Sequence, residues 1–280
     1  MENETPQVVI GALLASGFPF QTAVARAIGQ LKDWTVVAEE FPWRDELAGD
    51  QFLDLVVSDD HFVVSIECKK TQKETLTFLQ PGNASVSEER FDFLRPGKAA
   101  DGVVGARVLY LEQIQDSTRR MELFCADRFM SPASSQSSFC VVSTSSSGKD
   151  QRLLERDAQR LIRATDSYAW QYKRDFKVKS NSEYERLVLP VIVTNAKLFV
   201  AKYDAASVSL DTGQFEPVDA ASVVPVDRVR FRKSFTSFGH RDYGNRTVFV
   251  VTASSLLAFL RELALTETSA LGKAHFQVPE

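Results

Sequence analysis

Two apolar runs that carry charged residues lie close together near the start of the chain, and they constrain its fold more than any other feature. Residues 52–58 read FLDLVVS, and residues 61–68 read HFVVSIEC. Runs of this length, separated by the turn-forming Ser58-Asp59-Asp60, predict two strands joined as a hairpin. A third run, residues 34–40 (WTVVAEE), predicts a strand before them, and residues 42–50 are expected to form a charged connecting loop.

The charged residues of this hairpin fall in a particular pattern. Because side chains alternate between the two faces of a strand, Glu67 and Lys69 share one face and Cys68 points to the other. Asp54 interrupts the preceding run. Charged groups in apolar surroundings are costly unless they are paired or bind a metal ion. Two carboxylates that converge across a hairpin repel each other, and a divalent cation relieves that repulsion.

This arrangement predicts a magnesium site. Mg²⁺ (or Mn²⁺) prefers oxygen ligands, so Asp54 and Glu67 are the predicted ligands, together with the backbone carbonyl of Cys68. A bound ion would lower the pKa of a water molecule and neutralise charge on a phosphodiester. Lys69, next to Glu67 on the same face, would orient that water or stabilise the transition state. The chemistry expected is hydrolysis without a covalent protein intermediate.

The same residues carry a family resemblance. Leu53-Asp54-Leu55, followed after a short hairpin by Ile66-Glu67-Cys68-Lys69, resembles the PD-(D/E)xK motif of the restriction-endonuclease-like nuclease superfamily. The predicted order of a helix at 20–31, three strands, a helix at 149–168 and a strand at 186–194 is similar to the core of those proteins. The resemblance implies an α/β fold with a central mixed sheet flanked by helices. It also implies a Mg²⁺-dependent DNA endonuclease with Asp54, Glu67 and Lys69 as catalytic residues.

The sequence departs from the family pattern at two positions. Leu53 stands where a proline usually precedes the aspartate, and Gln21 stands on the first helix, where many members carry a metal-binding glutamate. Gln21 could still supply an oxygen, or Glu39 or Glu40 at the end of the first predicted strand could replace it. Whether one or two metal ions bind is therefore left open.

The rest of the chain is interpreted as parts of one domain spanning residues 1–280. The predicted core comprises residues 18–70 and 149–203, with an insertion at about 71–148 between the third core strand and the second core helix. Residues 204–280 are expected to add a strand and helix extension. Other predicted elements are an apolar helix ending at Ser16-Gly17, a turn at 95–98, a strand or helix at 103–113, a helix at 117–130, strands at 139–142, 197–203, 207–209 and 224–231, and a helix at 254–265.

Other interpretations of the motif remain open. The hairpin could be a surface feature with one salt bridge, or the fold could be a catalytically inactive nuclease-type subunit that binds nucleic acid or serves as a scaffold in a larger complex. Lys70 and Arg44 are candidate phosphate contacts, although adjacent lysines usually lie on a solvated face. A homodimer and a partner subunit are both compatible with the resemblance.

Composition sets only broad limits. The formal net charge of −4 gives no global argument for a nucleic-acid partner, since such proteins usually have a basic surface. The number and irregular spacing of the three cysteines argue against a disulfide framework and against a zinc site. No apolar run approaches the roughly 20 residues needed to span a bilayer, and the acidic N-terminus differs from a signal peptide. These features favour a cytoplasmic protein without membrane contact.

Overall fold

The computed structural model shows an α/β protein in which mixed sheets are flanked by helices. This confirms the predicted fold class at that level. The residues that the structure describes are 6–45, 48–59, 62–71, 75–81, 92–98, 104–110, 136–143, 153–176, 187–213, 222–236 and 243–266.

Two helices open the described chain, as the sequence predicts. Helix α1 (Pro6–Ala15) ends where Ser16 and Gly17 were expected to break it, and α2 (Phe18–Ile28) follows. Pro19 lies in the first turn of α2, where a missing backbone N–H costs nothing. Helix α2 buries Gln21, Val24, Ala25 and Ile28, whereas α1 buries none of its residues.

The three predicted strands are present and form an antiparallel meander. They are β1 (Thr35–Asp45), β2 (Gly49–Ser58) and β3 (Phe62–Lys69). The prediction of a loop over residues 42–50 is wrong, because β1 and β2 continue pairing as far as Asp45 and Gly49. The strand tolerates Pro42 because β1 is the edge of the sheet, where one side needs no hydrogen-bond donors.

The predicted insertion contributes strands to both sheets of the protein. They are β4 (Thr75–Pro81), β5 (Asp92–Lys98), β6 (Val104–Tyr110), β7 (Gln136–Ser137) and β8 (Phe139–Ser143). The expected turn at 95–98 is wrong, because those residues pair with β6 over the whole length of β5. The ambiguous segment 103–113 contains a strand, and the helix predicted at 117–130 lies outside the described residues.

The last part of the chain contains α3 (Leu153–Phe176), β9 (Leu187–Thr194), β10 (Lys197–Tyr203), β11 (Val223–Val226), β12 (Arg228–Thr236), β13 (Tyr243–Thr252) and α4 (Leu256–Thr266). The expected strand at 207–209 is wrong, since residues 205–207 form a turn of 3₁₀ helix capped by Asp204. The expected strand at 224–231 is two strands, which separate at Asp227 and join different sheets. Strand β13 was not predicted.

The main sheet places β3 near its centre. Its strand order is β1-β2-β3-β9-β13-β12-β7, with β5 pairing with β9 and β6. Strand β3 is antiparallel to β2 and parallel to β9. A second, four-stranded sheet has the order β11-β10-β4-β8. The motif strand is therefore held on both edges by neighbouring strands.

Apolar side chains cover both faces of the main sheet. On one face, side chains such as Leu55, Ile66 and Val191 pack against α2 and α4. On the other face, Val56, Val63 and Ile192 pack with α3 and the second sheet. Within the described residues no single helix is long and apolar enough to cross a bilayer, although α1 and α2 together, bent by 56°, have sufficient length and apolarity.

Candidate active site

Three acidic residues lie in one row across the first three strands. The register pairs Glu39 with Leu55 and Phe41 with Leu53, so Glu40 lies opposite Asp54. The pairing of β2 with β3 ends at Leu55 and Ile66, and the next position in that register sets Asp54 opposite Glu67. Opposite residues of an antiparallel pair share a face, so Asp54 and Glu67 lie together as the sequence predicted.

Asp54 is fixed at the point where the two strands separate. Its Oδ2 accepts a hydrogen bond of 2.6 Å from the backbone N–H of Cys68. Burial raises the pKa of the Asp54 carboxyl and Glu40 raises it further, while the Cys68 N–H, Arg160 and Lys69 lower it. The Cys68 side chain lies in the core on the opposite face, where burial raises the pKa of its thiol. Cys68 thus contributes backbone to the site and not its sulfur.

Glu67 is the most perturbed carboxyl of the row. Burial and the negative charge of Asp54 raise its pKa from the ordinary 4.5 to about 7, against the opposing effects of Arg160 and Lys69. The residue is 7% exposed. A carboxylate that is buried beside another carboxylate lacks sufficient positive charge in the protein itself, which is the electrostatic condition that a bound cation would relieve.

Gln21 lies in contact with this row from the other side. Its Nε2 donates to Glu40 Oε1 at 2.7 Å and to the backbone carbonyl of Asp54 at 3.0 Å. Because both partners are acceptors, they orient the amide nitrogen, and not the oxygen, toward them. Glu40 itself has a φ of +52°, a left-handed conformation that costs energy for any residue with a Cβ. Such strain is often found at functional sites.

Helix α3 supplies two further charged residues that the sequence analysis missed. Lys69 Nζ lies 2.6 Å from Asp157 Oδ2. Arg160, one turn later, lies 3.8 Å from Glu67 Oε1 and donates to the Phe52 carbonyl at 3.1 Å. A signal was available, because Asp157 interrupts the apolar stripe of the helix, and a buried acid on such a stripe requires a partner.

The two candidate phosphate contacts differ in position. Lys70 follows Lys69 directly, is exposed, and donates its ammonium to the carbonyl of Leu14 at the end of α1. Arg44 is exposed and pairs across the ladder with Asp50. It lies four residues beyond Glu40 along β1, which places it about 13 Å from the row. The structure therefore engages the Lys70 ammonium at α1, and it leaves Arg44 apart from the row.

The oxygen atoms of the site's carboxylates are the kind of ligand that a hard divalent cation prefers, and a cation with few protein ligands fits their number. With all groups ionised, the four carboxylates Glu40, Asp54, Glu67 and Asp157 outweigh the two cations Lys69 and Arg160 by two charges. Among the described residues, no three Asp, Glu, His or Cys side chains are arranged to enclose a metal ion. Mg²⁺ is commonly bound by one or two carboxylates and several waters, so the Asp54–Glu67 pair fits its requirements.

Comparisons with known proteins add no relative. No protein-family model matches the chain, and neither a curated protein nor a solved structure matches it. The functional interpretation therefore depends on the geometry of the site and on the resemblance of its motif.

Proposed function

We propose that the protein is a divalent-metal-dependent nuclease with a restriction-endonuclease-like core, which hydrolyses phosphodiester bonds in nucleic acid, with DNA as the first candidate. The observation that carries this proposal is the pair formed by the partly buried Asp54 and the buried Glu67 at the end of the β2–β3 ladder, with Lys69 on the same face. The placement of α3 over this end of the sheet supports the same proposal, since it follows the order expected for the core.

Each residue of the site has a separate task in this proposal. Asp54 and Glu67 hold Mg²⁺ or Mn²⁺ through their oxygens, with the Cys68 carbonyl as the proposed backbone ligand. When bound, the cation supplies charge neutralisation at the phosphate and a water of lowered pKa. Lys69 places an ammonium beside the attacked phosphate, where it stabilises the negative charge that develops.

Arg160 is the best placed cation for contacting the nucleic acid itself. Its side chain is 42% exposed, and its guanidinium lies at the edge of the carboxylate pair. A guanidinium binds a phosphate through two parallel hydrogen bonds, which fixes orientation as well as charge. Arg160 is therefore placed to bind a phosphate group next to the carboxylate pair.

One observation favours the alternative of a catalytically inactive nuclease-type subunit. Gln21 directs a hydrogen-bond donor, rather than a carboxylate, toward Glu40 and the Asp54 carbonyl. That donor occupies Glu40 Oε1, an oxygen of an auxiliary candidate ligand, and Gln21 itself brings no carboxylate to the position where many members of the resembled family carry one. Such a protein would bind nucleic acid or act as a scaffold without cutting.

A cleavage assay separates these functions. The wild type should cut plasmid, single-stranded DNA or RNA in the presence of Mg²⁺ or Mn²⁺, and comparison of the three substrates identifies the preferred one. Glu67→Gln and Lys69→Met should each lower the rate by about 100-fold or more, the effect typical of removing one group that stabilises the transition state. Calorimetric titration with Mn²⁺ should show binding to the wild type.

Matched controls exclude effects of charge and contamination. Glu39 pairs with Leu55 and lies outside the carboxylate row, and both Glu39 and Lys32 are exposed. Glu39→Gln and Lys32→Met make the same chemical changes there, so both variants should cut like the wild type. Equal background cleavage in all proteins, without binding of a divalent ion, would overturn the proposal. Metal-independent binding of nucleic acid without cleavage would support the inactive subunit instead.

A further inference from the structure

The ammonium of Lys69 does not lie where the nearest carboxylate of its own strand would attract it. Lys69 and Glu67 are two residues apart on one face of β3, with their Cα atoms about 7 Å apart. A flexible lysine beside the Asp54–Glu67 pair would gain Coulomb energy by lying between the two carboxylates. Instead, its Nζ contacts Asp157 Oδ2 on α3 at 2.6 Å.

Asp157 is the rigid member of this ion pair. Its side chain is 9% exposed, compared with 33% for Lys69. The neighbouring helix residues Leu154, Ala158 and Leu161 are buried in the core between α3 and the sheet, which fixes the position of the Asp157 carboxylate. The lysine tip, held at the end of four rotatable bonds, adjusts to the aspartate and not the reverse.

The direction of this pairing matters for any cation that the site binds. A lysine ammonium between Asp54 and Glu67 would satisfy the same oxygens that Mg²⁺ requires, and it would act as an internal competitor. The pairing with Asp157 keeps Lys69 within the site but on the helix side. With the ammonium held by Asp157, the Asp54 and Glu67 carboxylates remain for the cation.

Resting on the proposed function, we infer that Asp157 is a positioning residue that holds the Lys69 ammonium on the α3 side of the site and keeps it off the Asp54–Glu67 pair. Divalent-metal affinity therefore depends on Asp157, although Asp157 is not a metal ligand. Its effect passes through Lys69, and removing the lysine abolishes that part of the effect.

A double-mutant cycle read by Mn²⁺ calorimetry tests this without any measurement of cleavage. The four proteins are the wild type, Asp157→Ala, Lys69→Gln and the double variant. Loss of the negative charge of Asp157 weakens Mn²⁺ binding electrostatically, and this part of the effect is the same whether residue 69 is lysine or glutamine. In Asp157→Ala with Lys69 retained, the lysine ammonium can also move onto Asp54 and Glu67, which lowers Mn²⁺ affinity further. We expect Asp157→Ala to weaken binding roughly tenfold more in the Lys69 background than in the Lys69→Gln background.

Controls keep each outcome distinct. Asp50→Asn removes the same charge from an exposed position on β2, and its effect on Mn²⁺ affinity should be the same in both backgrounds. Thermal unfolding checks that each variant is folded, and Asp157→Asn replaces the alanine variant if that protein does not fold. If Asp157→Ala changes Mn²⁺ affinity equally with Lys69 and with Lys69→Gln, or does not change it, the positioning role of Asp157 is overturned while the proposed function stands. A wild type that binds no Mn²⁺ overturns the proposed function, and this inference with it.

Discussion

Replacing Glu67 with glutamine should change how the stability of the metal-free protein depends on pH. The folded state raises the pKa of Glu67 from 4.5 to about 7, so it favours the protonated carboxyl. Below pH 4.5 both the folded and the unfolded state hold this proton. Between pH 4.5 and 7 the unfolded chain has released the proton while the folded protein keeps it. Stability therefore falls as the pH rises through this window.

The size of the effect follows from the separation of the two pKa values. One pKa unit corresponds to 1.36 kcal/mol, so the full shift amounts to at most about 3 kcal/mol above pH 7. Glutamine has a similar shape and no charge, so Glu67→Gln removes this penalty. The variant should match the wild type near pH 4.5 and exceed its free energy of unfolding by up to about 3 kcal/mol at pH 8.

Urea unfolding in EDTA, followed by the fluorescence of buried Trp34 and Trp43, measures the two profiles. Glu39→Gln serves as the control, since Glu39 is exposed. Saturating Mn²⁺ at pH 8 should stabilise the wild type by about 2.7 kcal/mol at 100 times its dissociation constant. Parallel pH profiles for the wild type and Glu67→Gln would refute the reasoning, because they would show that burial imposes no cost on the Glu67 charge.

Three further predictions concern two contacts of the site and one buried ion pair of helix α3. Gln21→Ala removes the donor to Glu40 and to the Asp54 carbonyl and should lower the free energy of unfolding by about 1–3 kcal/mol, measured by urea titration. Glu40→Gly should be more stable than Glu40→Ala by about 1 kcal/mol, because glycine adopts the left-handed conformation without strain, and equal stability would contradict this. Arg246→Met breaks the buried ion pair with Asp166 at 2.7 Å and should cost about 3–5 kcal/mol. The double variant Arg246→Met/Asp166→Leu should recover most of that loss in the same urea titration.

The parts of the site that could be predicted from sequence depend on local regularities. The period-2 alternation of β3 sets Glu67 and Lys69 on one face, and the β2–β3 register, extended one position beyond Leu55 and Ile66, sets Asp54 opposite Glu67. The family resemblance singled out Gln21, and the structure buries it on α2. The alternation and the motif are both local in the sequence, so they can be interpreted without knowledge of the tertiary structure.

The contributions of α3 could not be predicted in the same way. Asp157 and Arg160 reach the site because the helix packs on the sheet in one particular rotation, and nothing in the motif specifies that rotation. Strand β13 was missed for a related reason: it begins with Tyr-Gly-Asn-Arg, and its buried Arg246 pairs with Asp166 on α3. Long-range ion pairs allow polar residues in positions that a local pattern assigns to loops.

The division of Val223–Val226 and Arg228–Thr236 between two sheets illustrates the same limit. The sequence through Asp227 alternates with little interruption, and a single strand is the simplest interpretation. The structure pairs β11 with β10 and β12 with β13. Only the presence of those partner strands determines where the chain changes sheets.

The central position of β3 has a consequence for the order of folding. The contact of Asp54 with Cys68 spans 14 residues, whereas that of Arg160 with Phe52 spans 108. As the chain leaves the ribosome, the hairpin can form long before β9 and α3 exist, and its apolar β3 edge stays open meanwhile. A chain that stops before residue 153 should therefore display the complete motif, aggregate through that edge, and lack the charged residues of α3 that complete the site.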